Sequence, residues 1–203
     1  MINTEFDRDA EISSCIQSIP KDLLWCDLAC SFGYYSKIIL EHGAKSVIAI
    51  DVREEFRQSN NDINGVTFHI GNLDNVDTVY PLIDKVDAVL YAGHLYHTLN
   101  HISILQMITN TTAKHLVLES KSHNLIMSGS NIPAIYFGKE SSAQHYLKYD
   151  PNNTMTEIGQ PNLLWITTTL VNLGWTVSTV NVGKQVSILD GKTFIIYVIS
   201  ASR

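Results

Sequence analysis

The segment LLWCDLACSFGYYS at positions 23–36 contains a change from strand to helix on which the fold prediction depends. It begins with an apolar run of strand length, Leu23–Leu28, and continues into a loop of small residues that reaches Gly33. A helix is predicted over Tyr35–His42, closed by Gly43 at a position that favours positive φ. A strand that passes through a short loop into a helix is the basic unit of an α/β fold.

The same alternation of strand and helix continues along most of the chain. Further apolar runs predict strands at Ser46–Asp51, Val66–Ile70, Val86–Ala92 and His115–Ser120. Helical spacing predicts helices at Arg8–Ile19, Glu54–Asn61, Ile102–Thr109 and Leu163–Leu173, and two closing strands follow at Thr176–Val182 and Thr193–Ser200. Buried strands that alternate with helices predict an α/β fold with a doubly wound, mostly parallel sheet and an antiparallel strand at its C-terminal end.

Composition limits the class of protein. The 203 residues are 45% hydrophobic and 17% charged, which predicts one globular domain over residues 1–203. The net charge of −6 argues against a large surface for nucleic acid. No apolar run approaches the length of about 20 residues that spans a bilayer. The N-terminus lacks the basic start of a signal peptide, and three cysteines are an odd number, so we expect a cytoplasmic protein with reduced thiols.

The stretch 121–160 differs from the rest because it is polar and contains scattered Gly, Ser, Asn and Pro. It is expected to be irregular, and long irregular loops often cover a binding site. We therefore predict that this stretch is a lid over the substrate.

Candidate binding residues follow four of the predicted strands. Ligands of open α/β sheets bind beyond the carboxyl ends of the strands, where this chain has the loop Asp27–Gly33, Asp51, Asn72 and Gly93. The small residues of the loop allow a ligand to approach the backbone closely. Asp51 lies 24 residues after Asp27 and can accept two hydrogen bonds from a ribose diol. Asn72, helped by the backbone of Leu73, is expected to bind an adenine edge.

These features resemble the class I S-adenosylmethionine (SAM)-dependent methyltransferases over about Leu23–Gly174. Their loop has the pattern acid-x-Gly-x-Gly-x-Gly, and the matching positions here are Asp27, Ala29, Ser31 and Gly33. Ala and Ser fit such a loop only if their φ angles stay negative. The family fold is a seven-stranded Rossmann-like sheet. The resemblance implies SAM as cofactor, bound by Asp27, Ala29, Cys30, Ser31, Gly33, Asp51, Val52, Asn72, Leu73 and Gly93.

The run Gly93-His94-Leu95-Tyr96-His97-Thr98-Leu99 looks like the G-x-L-Y-H-L signature of a subset of these enzymes, which includes enzymes that modify the tRNA wobble uridine. His94 and His97 are the candidate catalytic residues, facing the methyl donor or acting as a general base. Together with His101 they have the spacing of metal ligands, but no carboxylate or Cys nearby completes a set, so no metal is predicted. Glu119, at the end of a strand, is a candidate base or partner of a cation.

The predicted function is methyl transfer from SAM to a small molecule or an exposed nucleotide. Three other functions share the same pocket and stay open: an inactive SAM-binding protein, a protein that binds a partner, and an enzyme that uses SAM for another reaction. A dehydrogenase is disfavoured because Tyr34 occupies the position of a required Gly, and no Gly-Lys-Ser/Thr motif indicates a P-loop. The sequence carries no prediction of the oligomeric state.

Overall fold

Seven strands form the main sheet of the computed structural model, which describes residues 6–123, 132–141, 155–186 and 193–203. A separate hairpin supplies two more strands. The strands are β1 (Leu24–Leu28), β2 (Ser46–Asp51), β3 (Val66–Ile70), β4 (Ala88–Tyr91), β5 (His115–His123), β6 (Ile135–Ser141), β7 (Met155–Pro161), β8 (Thr176–Val186) and β9 (Thr193–Ser202). The order in the main sheet is β3-β2-β1-β4-β5-β9-β8, and β6 pairs with β7.

Helices connect these strands. They are α1 (Arg8–Gln17), α2 (Tyr34–His42), α3 (Arg57–Asn61), α4 (Val76–Ile83), α5 (His101–Asn110) and α6 (Leu163–Asn172), with single 3-10 turns at Glu54–Phe56 and Leu95–His97. Asp7 caps α1 by accepting hydrogen bonds from the backbone N–H groups of Asp9 and Ala10. None of the described helices is long and apolar enough to cross a membrane.

Strand pairing confirms the predicted topology. β1 is parallel to β2 on one side and to β4 on the other, and β5 is parallel to β4. β9 runs antiparallel between β5 and β8, as expected for the closing strands. The chain proceeds outward from β1 to β3 and then crosses to β4, so the order of strands reverses between β1 and β4. This reversal is where ligands bind in sheets of this kind.

Apolar side chains fill both faces of the sheet. On one face Ile12, Ile16 and Ile39, from α1 and α2, are fully buried. On the other face lie the buried side chains of α4, α5 and α6, among them Ile104 and Leu170. Each such side chain contributes about 1.5–3 kcal/mol by leaving water. Burial on both faces explains why the central strands are apolar runs rather than alternating patterns.

Two features differ from the sequence prediction. α4 was not predicted; in the structure Val79 and Ile83 bury one face of this helix, which contains Pro81. The stretch 121–160 was expected to be irregular, but its described parts include the end of β5 and both strands of the hairpin. Pairing between β6 and β7 supplies the regularity, and a short strand of mixed composition does not reveal it without its partner. Residues 124–131 and 142–154 of that stretch lie outside the described residues.

Candidate active site

A cavity of about 520 Å3 lies at the carboxyl ends of β1, β2 and β4. This volume is in the range of small-molecule and cofactor sites. Ten of the residues selected from the sequence line it: Asp27, Ala29, Cys30, Ser31, Asp51, Val52, Leu73, Gly93, His94 and His97. Gly33 and Asn72 are not among the lining residues. Lining residues that the sequence analysis did not select include Arg8, Asp9 and Arg53.

The loop between β1 and α2 has left-handed backbone at all three positions of the pattern. The φ angles are +60° at Ala29, +51° at Ser31 and +81° at Gly33. The expectation that φ stays negative at Ala29 and Ser31 is therefore wrong. The backbone of the loop has the left-handed conformation that glycines at these positions would adopt. A left-handed residue other than glycine costs about 1–2 kcal/mol, which the surrounding contacts must offset.

Buried polar contacts hold this loop in place. The backbone N–H of Ser31 donates to Oδ2 of Asp51 at 3.0 Å. Asn60, fully buried, donates from Nδ2 to the carbonyl oxygens of Ser31 at 2.7 Å and Phe56 at 2.9 Å. A Cβ on Gly33 would lie 2.6 Å from Oδ1 of Asn60, which explains why glycine is required there although it does not line the cavity. Sequence analysis did not select Asn60, because it has the appearance of an ordinary polar residue in a helix.

Asp27 is buried beneath the loop, with 2% of its surface exposed. Its Oδ2 accepts a hydrogen bond of 2.7 Å from Oγ of Ser36. Burial raises the pKa of Asp27 to about 7, with a further contribution from the negative charge of Asp51, while the Ser36 hydrogen bond acts in the opposite direction. Asp27 therefore changes protonation near neutral pH.

Asp51, at the end of β2, already accepts four hydrogen bonds. Its Oδ1 accepts from the backbone N–H of Arg53 at 3.1 Å and from Nε of Arg53 at 2.9 Å. Its Oδ2 accepts from Nη2 of Arg53 at 3.1 Å and from the N–H of Ser31 at 3.0 Å. Two bonds to each oxygen fill the acceptor positions of a carboxylate. The sequence signal that could have revealed this pair is the spacing Asp-x-Arg directly after a buried strand.

The loop after β3 supplies the wall of the cavity next to Asp51 through Gly71 and Leu73. Asn72 lies between them, but its Oδ1 accepts from the N–H of Asp74 at 2.9 Å. This bond closes a local turn of the kind that Asn often forms. The structure therefore brings Leu73 to the cavity but does not bring Asn72 into its lining.

The loop after β4 forms the opposite side. Gly93 has a φ of +76°, and its N–H donates to Oε2 of Glu119 at 2.7 Å. Glu119 is 1% exposed and does not line the cavity. Burial raises its pKa, although Arg8, the Gly93 hydrogen bond and Lys121 act in the opposite direction. The carboxyl of Glu119 thus holds the backbone at the end of β4.

His94 and His97 line the cavity on this side. Nδ1 of His94 lies 2.9 Å from the hydroxyl of Tyr91, which is fully buried. His101 is turned away, with Nε2 at 2.8 Å from the carbonyl oxygen of Gly159 in β7, and burial lowers its pKa. The three histidines therefore do not converge, and the described part of the chain has no group of three His, Cys, Asp or Glu residues that could hold a metal.

The N-terminus of α1 contributes the remaining end of the cavity. Nε of Arg8 donates to Oδ1 of Asp9 at 3.0 Å, and the same oxygen accepts from the hydroxyl of Tyr35 at 2.5 Å. Burial opposes the charge of Arg8, but nearby Glu119, Tyr35 and Asp9 together raise the pKa of its guanidinium. Sequence reasoning missed Arg8 and Asp9 because an acid and a base in a first helical turn are common.

Solved structures share this fold. A SAM-dependent methyltransferase from Mesorhizobium loti matches with a TM-score of 0.64 at 17% identity, over 96% of this chain and 98% of that one. A 1,6-didemethyltoxoflavin-N1-methyltransferase from Burkholderia thailandensis, solved with S-adenosylhomocysteine (SAH), matches with a TM-score of 0.65 at 14% identity, over 97% and 79%. A candidate RNA methyltransferase from Pyrococcus horikoshii matches with a TM-score of 0.63 at 12% identity, over 96% and 80%.

Comparison of the sequence with family models gives a match to the FtsJ-like methyltransferases over residues 10–134. A search of curated protein sequences gives no significant match. The family match covers more than half of the chain, from within α1 to beyond β5, and includes the loop, Asp51 and both cavity histidines. The predictions of a methyltransferase and of SAM as its cofactor are thereby confirmed. The chain belongs to the FtsJ-like methyltransferase family.

Proposed function

We propose that this protein transfers the methyl group of SAM to a small molecule or an exposed nucleotide, at the side of the cavity formed by His94 and His97. The observation that carries the proposal is that a single cavity joins Asp51, the loop Ala29–Ser31 and both histidines. An acceptor at the histidines would thus share one cavity with the cofactor.

The residues of the cavity fit the cofactor. The Asp51 carboxylate at one end suits a ribose diol, and Gly71 and Leu73 beside it offer backbone and apolar contact to an adenine. The left-handed loop allows a ligand to lie against the backbone of Ala29 and Ser31. Arg8, at the other end, suits the carboxylate of an amino acid.

The bound cofactor supplies a methyl group activated by a positively charged sulfur, so the main task of the protein is to orient the acceptor. Tyr91 keeps its hydroxyl proton, because burial raises its pKa well above the usual value. That hydroxyl lies 2.9 Å from Nδ1 of His94 and forms a hydrogen bond with it. This contact positions the imidazole of His94 in the cavity wall beside the proposed acceptor. His97 is the candidate base for an acceptor that must lose a proton.

Two observations bear on the acceptor. The Gly93–Leu99 run resembles a signature of enzymes that modify a tRNA nucleotide, whereas the net charge of −6 disfavours a large nucleic-acid surface. A small molecule, or a nucleotide that a partner presents, fits both. The hairpin of β6 and β7 contacts the Leu95–His97 turn, and we propose that the stretch 121–160 selects the acceptor as a lid.

Titration calorimetry with SAM and separately with SAH tests the proposal. We expect micromolar dissociation constants, equivalent to about −8 kcal/mol. Asp51→Ala should abolish binding while circular dichroism still reports a folded protein, and Asp62→Ala, at an exposed carboxylate on the end of α3, should bind like the wild type. Wild-type protein that is folded but binds neither compound would contradict the proposed function.

A labelled-methyl assay tests transfer itself. The protein is incubated with methyl-labelled SAM and either a small-metabolite extract or total tRNA, and label is followed into each pool. Label in either pool supports the proposal and names the acceptor class. Binding of SAM without label in any product favours an inactive SAM-binding protein, and cleavage of SAM without methyl transfer favours another reaction of the cofactor.

A further inference from the structure

The carboxylate of Asp51 has no acceptor position left for a ribose. Each oxygen already accepts two hydrogen bonds, three of the four from Arg53. A ribose diol needs one position on each oxygen. Binding of the cofactor at Asp51 therefore requires that some of these bonds break.

We propose that the Arg53 side chain competes with the cofactor ribose for Asp51, and that its release from the carboxylate sets the affinity for nucleosides. This inference rests on the proposed function, because it takes Asp51 as the ribose-binding residue. It makes Arg53 a residue that determines affinity without contacting the transferred methyl group.

The arrangement identifies which bonds break. Two of the four donors are backbone N–H groups, of Ser31 and Arg53, and the position of Ser31 is fixed by the Asn60 hydrogen bond to its carbonyl. The other two donors, Nε and Nη2, belong to the Arg53 side chain and reach one carboxylate oxygen each. Departure of this side chain frees one acceptor position on each oxygen, which matches the two hydroxyls of a cis-diol.

Arg53 is also able to leave. Its side chain is 22% exposed, whereas that of Asp51 is 3% exposed. The guanidinium lies 4.0 Å from the ring centroid of Phe56, which offers a contact that a small rotation preserves. Phe56 in turn lies against Phe32, with ring centroids 4.4 Å apart, at the mouth of the cavity. The side chain can therefore leave the carboxylate without entering bulk water completely.

Competition of this kind lowers affinity by a definite rule. The apparent dissociation constant equals the intrinsic one divided by the fraction of molecules whose site is open. A two-pronged Arg–carboxylate pair is among the stronger polar contacts, so the open fraction is small. Loss of the guanidinium should raise that fraction and leave Asp51 with two vacant acceptor positions that the ribose can fill.

The test is calorimetric titration of Arg53→Met with SAH. We expect the dissociation constant to fall about tenfold relative to the wild type. Arg57→Met is the matched control, since Arg57 also pairs with a carboxylate, Glu54, and lies over an aromatic ring, that of Phe68, but does not line the cavity. Its dissociation constant should stay within about twofold of the wild type. Arg53→Lys, which cannot form the two-pronged pair, should show a smaller gain and serves if the Met variant does not fold.

A second pair of ligands separates competition from a general change of the cavity. Adenosine and 2′,3′-dideoxyadenosine differ only in the diol. The gain in affinity of Arg53→Met should appear with adenosine and be absent with the dideoxy compound. Equal or weaker SAH binding by the variant, or equal gains for both nucleosides, would overturn the inference while the proposed function stands. Failure of wild type and variants alike to bind SAH would overturn both.

Discussion

The two sides of the cavity are built in different ways. On the side of β1 and β2, the contacts are between segments close in sequence, and Asp51, Ser31 and Asn60 lie within 29 residues of one another. On the side of β4, the Leu95–His97 turn packs against the β7 strand of the hairpin, and His101 reaches Gly159, 58 residues away. The first side is a strained loop fixed by local polar bonds, and the second is assembled from distant segments.

This difference teaches which part of a site a local sequence pattern can reveal. The first side is proposed to bind the cofactor. Its residue types lie at the spacing of the family pattern, so a local sequence pattern can reveal them. The second side is formed by the loop after β4, which packs against a hairpin. The hairpin in turn depends on tertiary contacts, such as the hydrogen bonds that Asn162 makes with Ile132 and Ala134. A change in the strained loop should therefore affect the whole fold, and a change across the cavity should have a more local effect.

The largest expected effect is that of Gly33→Ala. The residue has a φ of +81°, and the new Cβ would lie 2.6 Å from Oδ1 of Asn60 and 2.8 Å from Cδ1 of Ile63. Backbone strain and crowding together should lower the free energy of unfolding by about 3 kcal/mol. Gly93 on the opposite side has a similar φ, +76°, but the nearest neighbour of a new Cβ there would be 4.0 Å away. Gly93→Ala should therefore lower the free energy of unfolding by only about 1 kcal/mol.

Urea denaturation of both variants measures this contrast. Equal losses of stability in the two variants would contradict the claim that the loop side is the more tightly constrained. Gly174→Ala, at a φ of +87° with nothing within 4 Å of the new Cβ, gives the cost of positive φ without any crowding.

Arg8→Met tests the far end of the cavity, where the proposed cofactor would place its carboxylate. SAH binding should weaken about tenfold through loss of a charge-assisted pair. Binding of 5′-methylthioadenosine, which has no carboxylate, should be unchanged. Lys37→Met, at an exposed lysine on α2, is the control and should leave both dissociation constants unchanged. Parallel weakening of both ligands in Arg8→Met would instead indicate that Arg8 only supports the structure.

Asp27 on one side and His101 on the other should make stability depend on pH with opposite sign. The pKa of Asp27 is about 7 when folded and about 3.9 when unfolded, so the folded protein binds more protons in this range and the free energy of unfolding falls as pH rises from about 4 to 7. The pKa of His101 is lowered by burial, so its contribution is lost as pH falls below about 6.5.

Denaturation of variants between pH 5 and 8 separates the two contributions. Asp27→Asn should reduce the fall of stability with rising pH, but not remove it, because the pKa of buried Glu119 is raised in the same direction. His101→Gln should reduce the loss of stability on the acidic side, but not remove it, because burial also lowers the pKa of His115. An unchanged profile in Asp27→Asn would contradict the assignment of a raised pKa to this carboxyl.

The smallest expected effect is that of Ser31→Gly. Glycine relieves about 1–2 kcal/mol of left-handed strain at a φ of +51°, and its greater freedom in the unfolded chain offsets about 0.5–1 kcal/mol of that. Stability should therefore rise by about 0.5 kcal/mol. Ser103→Gly within α5 should instead lower it by about 0.5 kcal/mol, since helix propensity falls there. A loss of stability in Ser31→Gly would show that the hydroxyl matters more than the strain.

Much of the fold was predictable because it depends on patterns that are local. Apart from α4 and the hairpin, the alternation of strands and helices along the chain and the antiparallel closing strand follow from apolar runs and turn residues. Ten lining residues were found because polar groups at the carboxyl ends of parallel strands meet at one edge of the sheet. Asn60, Arg53 and Arg8 were missed because each acts through a contact that no local pattern displays. The hairpin was missed because its short strands are stabilised by each other and by the turn after β4.

The position of β9 has a consequence for synthesis on the ribosome. β9 separates β5 from β8, yet residues 193–202 are made after both. When the segment up to β5 has emerged, the strands that carry the cofactor loop and Asp51 can already pair, but β5 is left as an edge with unsatisfied backbone groups. A nascent chain that is stalled before residue 193 should therefore be the form most prone to aggregation and most in need of a chaperone.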